Sequence, residues 1–271
     1  MNWLQDIKAI IFDLDGTMYQ HETFHKSYLR YVVEGTKWEE DYDFLLDGME
    51  NMLTNQADFK MGHYYLHESK IVRTKEDVLA FLGVADLPLG DSRQYIYGGD
   101  VWSIMNILTN RMDIPEAKRR LAFNKVRGEM VVGADGIMMS ERLLKAISRL
   151  DFLKRRVLMT NTHSQSGHEF IQALNISSLF DEIYLDSKKP VGIQEVIKSL
   201  LVREDLKPHE ILSIGDHPWN DLLPAKKLGC RTILISPYDL VGKENWDFAV
   251  STSDEMAEVL EKRVQPTLVK N

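Results

Sequence analysis

The chain has 271 residues, a formal net charge of -8 and 44% hydrophobic side chains. At roughly 100 to 200 residues per domain that length allows one large or two small domains, and the acidic balance argues against a nucleic-acid-binding surface, which shows clustered basic residues. The single cysteine, Cys230, excludes an internal disulfide framework. No apolar run approaches the ~20 residues of a membrane span, and the first residues run directly into an apolar strand with no room for a signal peptide, so a cytoplasmic location and no membrane partner are expected.

The first predicted element is a strand in Lys8-Ala9-Ile10-Ile11-Phe12-Asp13-Leu14-Asp15-Gly16-Thr17, a short apolar run that ends in two carboxylates separated by one residue. Side chains on a strand alternate, so Asp13 and Asp15 project from the same side where the strand gives way to a loop. Gly16 lets the chain turn, and Thr17 offers a hydroxyl beside it. Two carboxylates this close repel unless a cation lies between them or one stays protonated.

Residues 21 to 140 then read as helical. Phe24, Tyr28, Tyr31 and Val32 fall on one face; so do Leu45, Met49, Met52 and Leu53, and so do Val101, Ile104, Met105, Leu108 and Met112. Pro115 suits the first turn of a further helix, and breaks are expected at Gly83, at Pro88 to Gly90, at Gly98-Gly99 and around Gly133 to Gly136. Ser140 is the predicted N-cap of a helix that turns Leu143, Leu144, Ile147 and Leu150 inward.

A second strand, residues 156 to 160, ends in Thr160 and is followed by Asn161, with Ser164 and Ser166 as candidate caps for a helix over 167 to 174. A third, Ile183 to Leu185, precedes Lys188-Lys189-Pro190, which places an ammonium at the start of an amphipathic stretch over 191 to 201. A fourth, starting at Ile211, ends in Gly215-Asp216 with Asp221 five residues on; Pro224 is expected in the first turn of the helix that follows. A fifth strand spans Thr232 to Ile235, with Cys230 as a packed small residue, and Thr252 to Glu255 is a capping-box pattern for a last helix reaching about Arg263.

Strands alternating with helices predict an α/β fold with a parallel sheet and right-handed crossovers, and ligands in such sheets lie beyond the carboxyl ends of the strands. Four strand ends therefore converge, carrying Asp13, Asp15, Asp216, Asp221, Thr160 and Lys189. Other polar residues read as structure. His63 and His67 have no evident third ligand for zinc; His163, close after the second strand, is not counted as catalytic, His217 reads as a partly exposed loop histidine, and the acidic run from Glu34 to Asp43 as a solvated connection.

These four segments resemble the four signature motifs of the haloacid dehalogenase superfamily of phosphohydrolases. The resemblance implies a Rossmann-like core, residues 1–20 and 141–271, with a mobile α-helical cap domain, residues 21–140, inserted after the first motif. It implies Asp13 as nucleophile, Asp15 as general acid and then base, and Thr160, Asn161 and Lys189 as phosphate-binding groups. Lys189 is preferred to Lys188 because the motif lysine directly precedes proline. Asp13, Asp15, Asp216 and Asp221 make up the acidic group expected at magnesium. Asp15 favours phosphoryl chemistry over dehalogenation, since a halide leaving group needs no acid, and acidic neighbours are expected to raise its pKa. The implied activity is magnesium-dependent hydrolysis of a small phosphorylated metabolite through an aspartyl phosphate. A phosphomutase or phosphotransferase of the same superfamily, or a non-catalytic phosphate-binding protein that kept the fold, is the alternative. The expected hinges are Met18 to Glu22 and Gly133 to Ser140.

Overall fold

The computed structural model describes residues 2–21, 23–57, 61–66, 95–133 and 137–264. His67, Gly83, Pro88 to Gly90, Glu22 and residues 134–136 lie outside the described residues. The described strands are β1 (Ala9–Asp13), β2 (Gln20–His21), β3 (Tyr64–Leu66), β4 (Tyr95–Tyr97), β5 (Ile137–Met138), β6 (Arg155–Met159), β7 (Glu182–Tyr184), β8 (Ile211–Gly215), β9 (Arg231–Ile235) and β10 (Phe248–Val250). The described α-helices are α1 (Phe24–Val33), α2 (Tyr42–Leu53), α3 (Val101–Arg111), α4 (Glu116–Gly133), α5 (Glu141–Ser148), α6 (Ser164–Ala173), α7 (Val191–Arg203), α8 (Leu223–Lys227) and α9 (Ser253–Val264). Among the described residues, no helix is long and apolar enough to cross a membrane.

The chain divides into two compact units, one formed by Met1–Gln20, Met138–Pro237 and Lys243–Asn271, the other by His21–Ile137 and Tyr238–Gly242. The first holds a six-stranded sheet in the order β10-β9-β8-β1-β6-β7, parallel throughout. Every residue of β1 and β8 is buried, the continuous apolar pattern of strands covered on both faces. Phe12 is in register with Leu158 of β6 and with Ile214 of β8, and Asp13 with Met159. That register brings the carboxyl ends of the three central strands level.

On one face Ile11, Val157 and Met159 pack with Ile193, Val196, Ile197 and Leu200 of α7; each such side chain contributes roughly 1.5–3 kcal/mol on full burial. Cys230 joins this cluster, and burial pushes its thiol up to about 12, which leaves it inert as a nucleophile. Ser140 caps α5 by accepting the Leu143 N–H at 3.0 Å, and Leu143, Ile147 and Leu150 are buried while Leu144 is half-buried. At α9, Thr252 accepts the Glu255 N–H at 3.2 Å, but Glu255 reaches back to Ser251 N–H at 2.7 Å, one residue earlier than a capping box.

The expected start of α6 is corrected. It begins at Ser164 with His163 as N-cap, so Ser164 and Ser166 lie in its first turn, and Ser166 donates to His163 C=O rather than capping. Gly167 reads in the sequence as a helix start but sits inside the helix, at a position where a Cβ would lie 2.8 Å from Leu185 Cδ2.

The second unit carries α1 to α4, with the expected apolar faces buried except Tyr31, which is half-buried and donates to Glu129 at 2.5 Å. Asp100 and Ser103 form a reciprocal cap on α3. The all-helical expectation is corrected by β3 and β4, an antiparallel pair with Tyr65 opposite Ile96. Strands of three residues are too short to show an alternating period. Segment 238–242 joins this unit through Val241 N–H to Met61 C=O at 3.0 Å and Asn55 Nδ2 to Asp239 C=O at 2.7 Å. Gly62, at φ +92°, gives it room, since a Cβ there would lie 2.6 Å from the Val241 nitrogen.

Candidate active site

The end of β1 delivers Asp13 into a buried ionic group. Lys189 Nζ donates to Asp13 Oδ1 at 2.5 Å, to Asp221 Oδ1 at 2.6 Å and to Met159 C=O at 3.1 Å. The side chains of Lys189, Asp13 and Asp221 are only 3%, 8% and 2% exposed. Burial opposes the charge on Lys189, but Asp13 and Asp221 outweigh it and hold the ammonium above its ordinary value. Burial pushes Asp13 well above the usual carboxylate range; Lys189 opposes this, while Asp221 and Asp15 add to it. Lys188, by contrast, is exposed and has a positive φ of 52°.

Asp13, Asp216 and Asp221 each bring a carboxylate oxygen within 4.8 Å of the others. Two glycines make room for this. At Gly16, φ is +72° and a Cβ would lie 2.1 Å from Asp216 Oδ2, while a Cβ on Gly215 would lie 2.4 Å from Asp221 Oδ2. Residues Pro218–Leu222 form one π-helical turn that buries Asp221. The turn is tied down by Ser213 Oγ donating to Asp221 C=O at 2.7 Å, His217 N–H donating to Asp221 Oδ2 at 3.1 Å and Asn220 N–H donating to His217 Nδ1 at 3.2 Å. His217 is therefore buried rather than the partly exposed loop residue expected, because its ring caps the turn. Pro224 lies in the first turn of α8.

Asp15 occupies different surroundings. Its Oδ1 accepts from the Tyr19 hydroxyl, and its Oδ2 from Thr160 Oγ1 and Thr162 Oγ1, both at 3.2 Å. Its carboxylate is not part of the three-aspartate group. Thr160 Oγ1 also accepts the Thr162 N–H at 3.0 Å, and Thr17 Oγ1 lies 3.5 Å from Asp13 Oδ2. The Asn161 side chain clamps the lysine loop: Oδ1 accepts from Lys189 N–H at 2.7 Å and Ser187 Oγ at 3.2 Å, and Nδ2 donates to Lys189 C=O at 3.2 Å. Tyr19, Thr162 and the Asn161 side chain escaped sequence reasoning, although Thr162 repeats the hydroxyl of Thr160 at the two-residue spacing of an extended chain. His163 is exposed at the start of α6, and His63 belongs to the second unit, where it stacks on Tyr65.

The donor set suits a hard divalent cation. Three carboxylates with one ammonium are formally doubly negative when all are ionised, and carboxylate oxygens are the ligands that magnesium takes.

The pattern of the haloacid dehalogenase-like hydrolases matches residues 7–229 of the chain. A glyceraldehyde 3-phosphate phosphatase from Pyrococcus furiosus is 25% identical over 114 residues, covering 39% of this chain and 47% of that protein. The chain thus spans about half the length of this curated relative. Among solved structures, a protein from Thermotoga maritima provisionally named a β-phosphoglucomutase shares the fold at TM-score 0.55 and 16% identity, over 94% of this chain and 99% of that one. A haloacid dehalogenase-like hydrolase from Streptococcus pneumoniae does so at TM-score 0.51 and 16% identity, over 93% and 98%. So does a Bacillus subtilis hydrolase described as bound to magnesium and showing interdomain movement, at TM-score 0.51 and 16% identity, over 94% and 99%. With its parallel sheet and the family pattern running from Ile7 to Gly229, the chain belongs to the haloacid dehalogenase-like hydrolases.

Proposed function

We propose that the protein is a magnesium-dependent phosphatase acting on a small phosphorylated metabolite through an aspartyl phosphate on Asp13. The observation that carries this reading is the separation of two neighbouring carboxylates into two environments. Asp13 lies in the buried group with Lys189, Asp216 and Asp221, and Asp15 lies among three hydroxyls. Paired carboxylates placed in different surroundings take different roles. The printed name of the P. furiosus relative, a phosphatase of a phosphorylated three-carbon compound, agrees with the substrate class.

Magnesium, held by Asp13, Asp216 and Asp221, would supply neutralising charge between nucleophile and phosphate. An Asp13 oxygen attacks phosphorus in line as the bond to the leaving oxygen breaks, and Asp15 gives that oxygen its proton. In the second step Asp15 takes a proton from the water whose oxygen displaces Asp13 from phosphorus. Lys189, the Thr160 hydroxyl and the Asn161 backbone amide stabilise the equatorial oxygens. A phosphomutase would differ only in using a substrate hydroxyl in place of water. The reading includes residues 21–140 as a cap and a cytoplasmic location.

The test is hydrolysis of p-nitrophenyl phosphate with magnesium and with excess chelator, followed by Asp15→Asn on substrates of different leaving group. Loss of activity in chelator, and a far larger loss of kcat/KM on alkyl than on aryl phosphates in the variant, are expected. Undiminished turnover in chelator would refute the magnesium requirement, and equal losses would remove the acid role of Asp15.

A further inference from the structure

The sharp turn after β1 does more than expose Asp13. Met18 N–H donates to Leu14 C=O at 3.0 Å, closing the turn, and the backbones of Asp15 and Tyr19 bridge. The Tyr19 side chain, 2% exposed, is thereby directed at Asp15 Oδ1. Its ring is fixed by an edge-on contact with Phe170 of α6, the centroids 4.9 Å apart and the planes at 65°. Thr162, also buried, holds the other carboxylate oxygen.

We propose that Tyr19, together with Thr162, is a positioning residue for Asp15, fixing the plane of the carboxylate that transfers the proton while taking no part in the bond changes itself. The proposal rests on the two-step reading above. Its chemical basis is the choice of hydroxyls. An acid that becomes a base passes through both protonation states. A hydroxyl can donate to the carboxylate and accept from the carboxylic acid, whereas an ammonium or guanidinium can only donate and would favour the anion alone. Lys189 performs that second task for Asp13 and Asp221, whereas the hydroxyls of Tyr19, Thr160 and Thr162 meet Asp15. In each step the proton moves between Asp15 and the leaving or attacking oxygen, and Tyr19 keeps its own.

Tyr19→Phe removes one oxygen and leaves the ring on Phe170; Thr162→Val removes the hydroxyl at Oδ2 with little change of shape. Each variant is compared with wild type and with Asp15→Asn for kcat and KM on p-nitrophenyl phosphate and on a primary alkyl phosphate. Phosphoenzyme formed from acetyl phosphate and the melting temperature are measured alongside. Misplacing a reacting group by an ångström costs up to about 100-fold. Alkyl kcat/KM, which reports the first step, should therefore fall about 10-fold or more in Tyr19→Phe with aryl kcat/KM within about 3-fold, and more phosphoenzyme should stand at steady state because the second step, common to both substrates, is slowed. Thr162→Val should show the same pattern, and both variants should melt near the wild type. Loss of kcat/KM equal on both leaving groups, or no such loss in either variant while Asp15→Asn separates them, overturns the positioning role and leaves the reaction standing. A wild type without magnesium-dependent turnover, or an Asp15→Asn variant that fails to separate them, overturns the reading of the reaction and the positioning role with it.

Discussion

Lys189→Met tests the ionic group at the centre of the site without altering its shape. The variant keeps most of the buried stem but leaves Asp13 and Asp221 without the ammonium that lies 2.5 and 2.6 Å from them. At an effective dielectric of about 20, a contact of that length is worth about 6 kcal/mol of attraction, before the cost of taking the ions out of water is subtracted. Removing one partner of a buried ion pair costs roughly 3–5 kcal/mol, which in a domain of this size lowers the melting temperature by about 6–20 °C. The deficit should shrink as pH falls. Asp13 already sits above the usual carboxylate range, so in the folded state it binds protons that the unfolded chain releases, and stability falls as pH rises from the unfolded value of 3.8 through the folded one. Without the ammonium this slope becomes steeper, and protonation at low pH removes the charge that lacked a partner. Lys189, held above its ordinary 10.5, contributes stability that is fully present below 10.5 and lost only at higher pH. Magnesium at about 100 times its dissociation constant should return about 2.7 kcal/mol. Thermal unfolding of both proteins from pH 5 to 8, with magnesium and with chelator, measures all of this. A melting temperature within 2 °C of wild type at pH 8 in chelator would refute the argument that the lysine compensates these carboxylates.

Asp13→Asn should lower turnover of p-nitrophenyl phosphate by about 10³-fold or more while leaving the fold intact, since Lys189 keeps Asp221 at 2.6 Å; a folded variant with wild-type rates would remove the nucleophile. Gly16→Ala introduces a Cβ 2.1 Å from Asp216 Oδ2 at a φ of +72°, so the magnesium concentration for half-maximal activity should rise about 10-fold or more, with about 1–2 kcal/mol of stability lost; unchanged magnesium dependence would mean that Asp216 is dispensable. Limited proteolysis at Met18 to Glu22 and Gly133 to Ser140 should slow with magnesium and beryllofluoride together if cap movement accompanies turnover, and identical digests with and without them would argue against hinges at these segments.

The order and type of the core elements were legible in the sequence because their signals are local. β1 and β8 read as strands from short apolar runs, Ala9 to Phe12 and Ile211 to Ile214 with Ser213 inside the second, and the helices of 24–33, 42–53 and 101–111 from the spacing of their apolar residues. The strand ends also named the residues that the parallel register then gathers, because the carboxyl ends of adjacent parallel strands share one edge. Only tertiary structure decided how those residues are divided. Nothing in the spacing of Asp13 and Asp15 tells which meets an ammonium and which meets hydroxyls; that depends on Lys189, 176 residues away from Asp13 in the chain, and on Thr160, 145 away from Asp15. The burial of His217, the interior place of Gly167, the β3–β4 ribbon and the return of residues 238–242 were hidden for the same reason. Each is set by a partner distant in sequence, whereas periodicity and capping report only on residues within a few positions of one another.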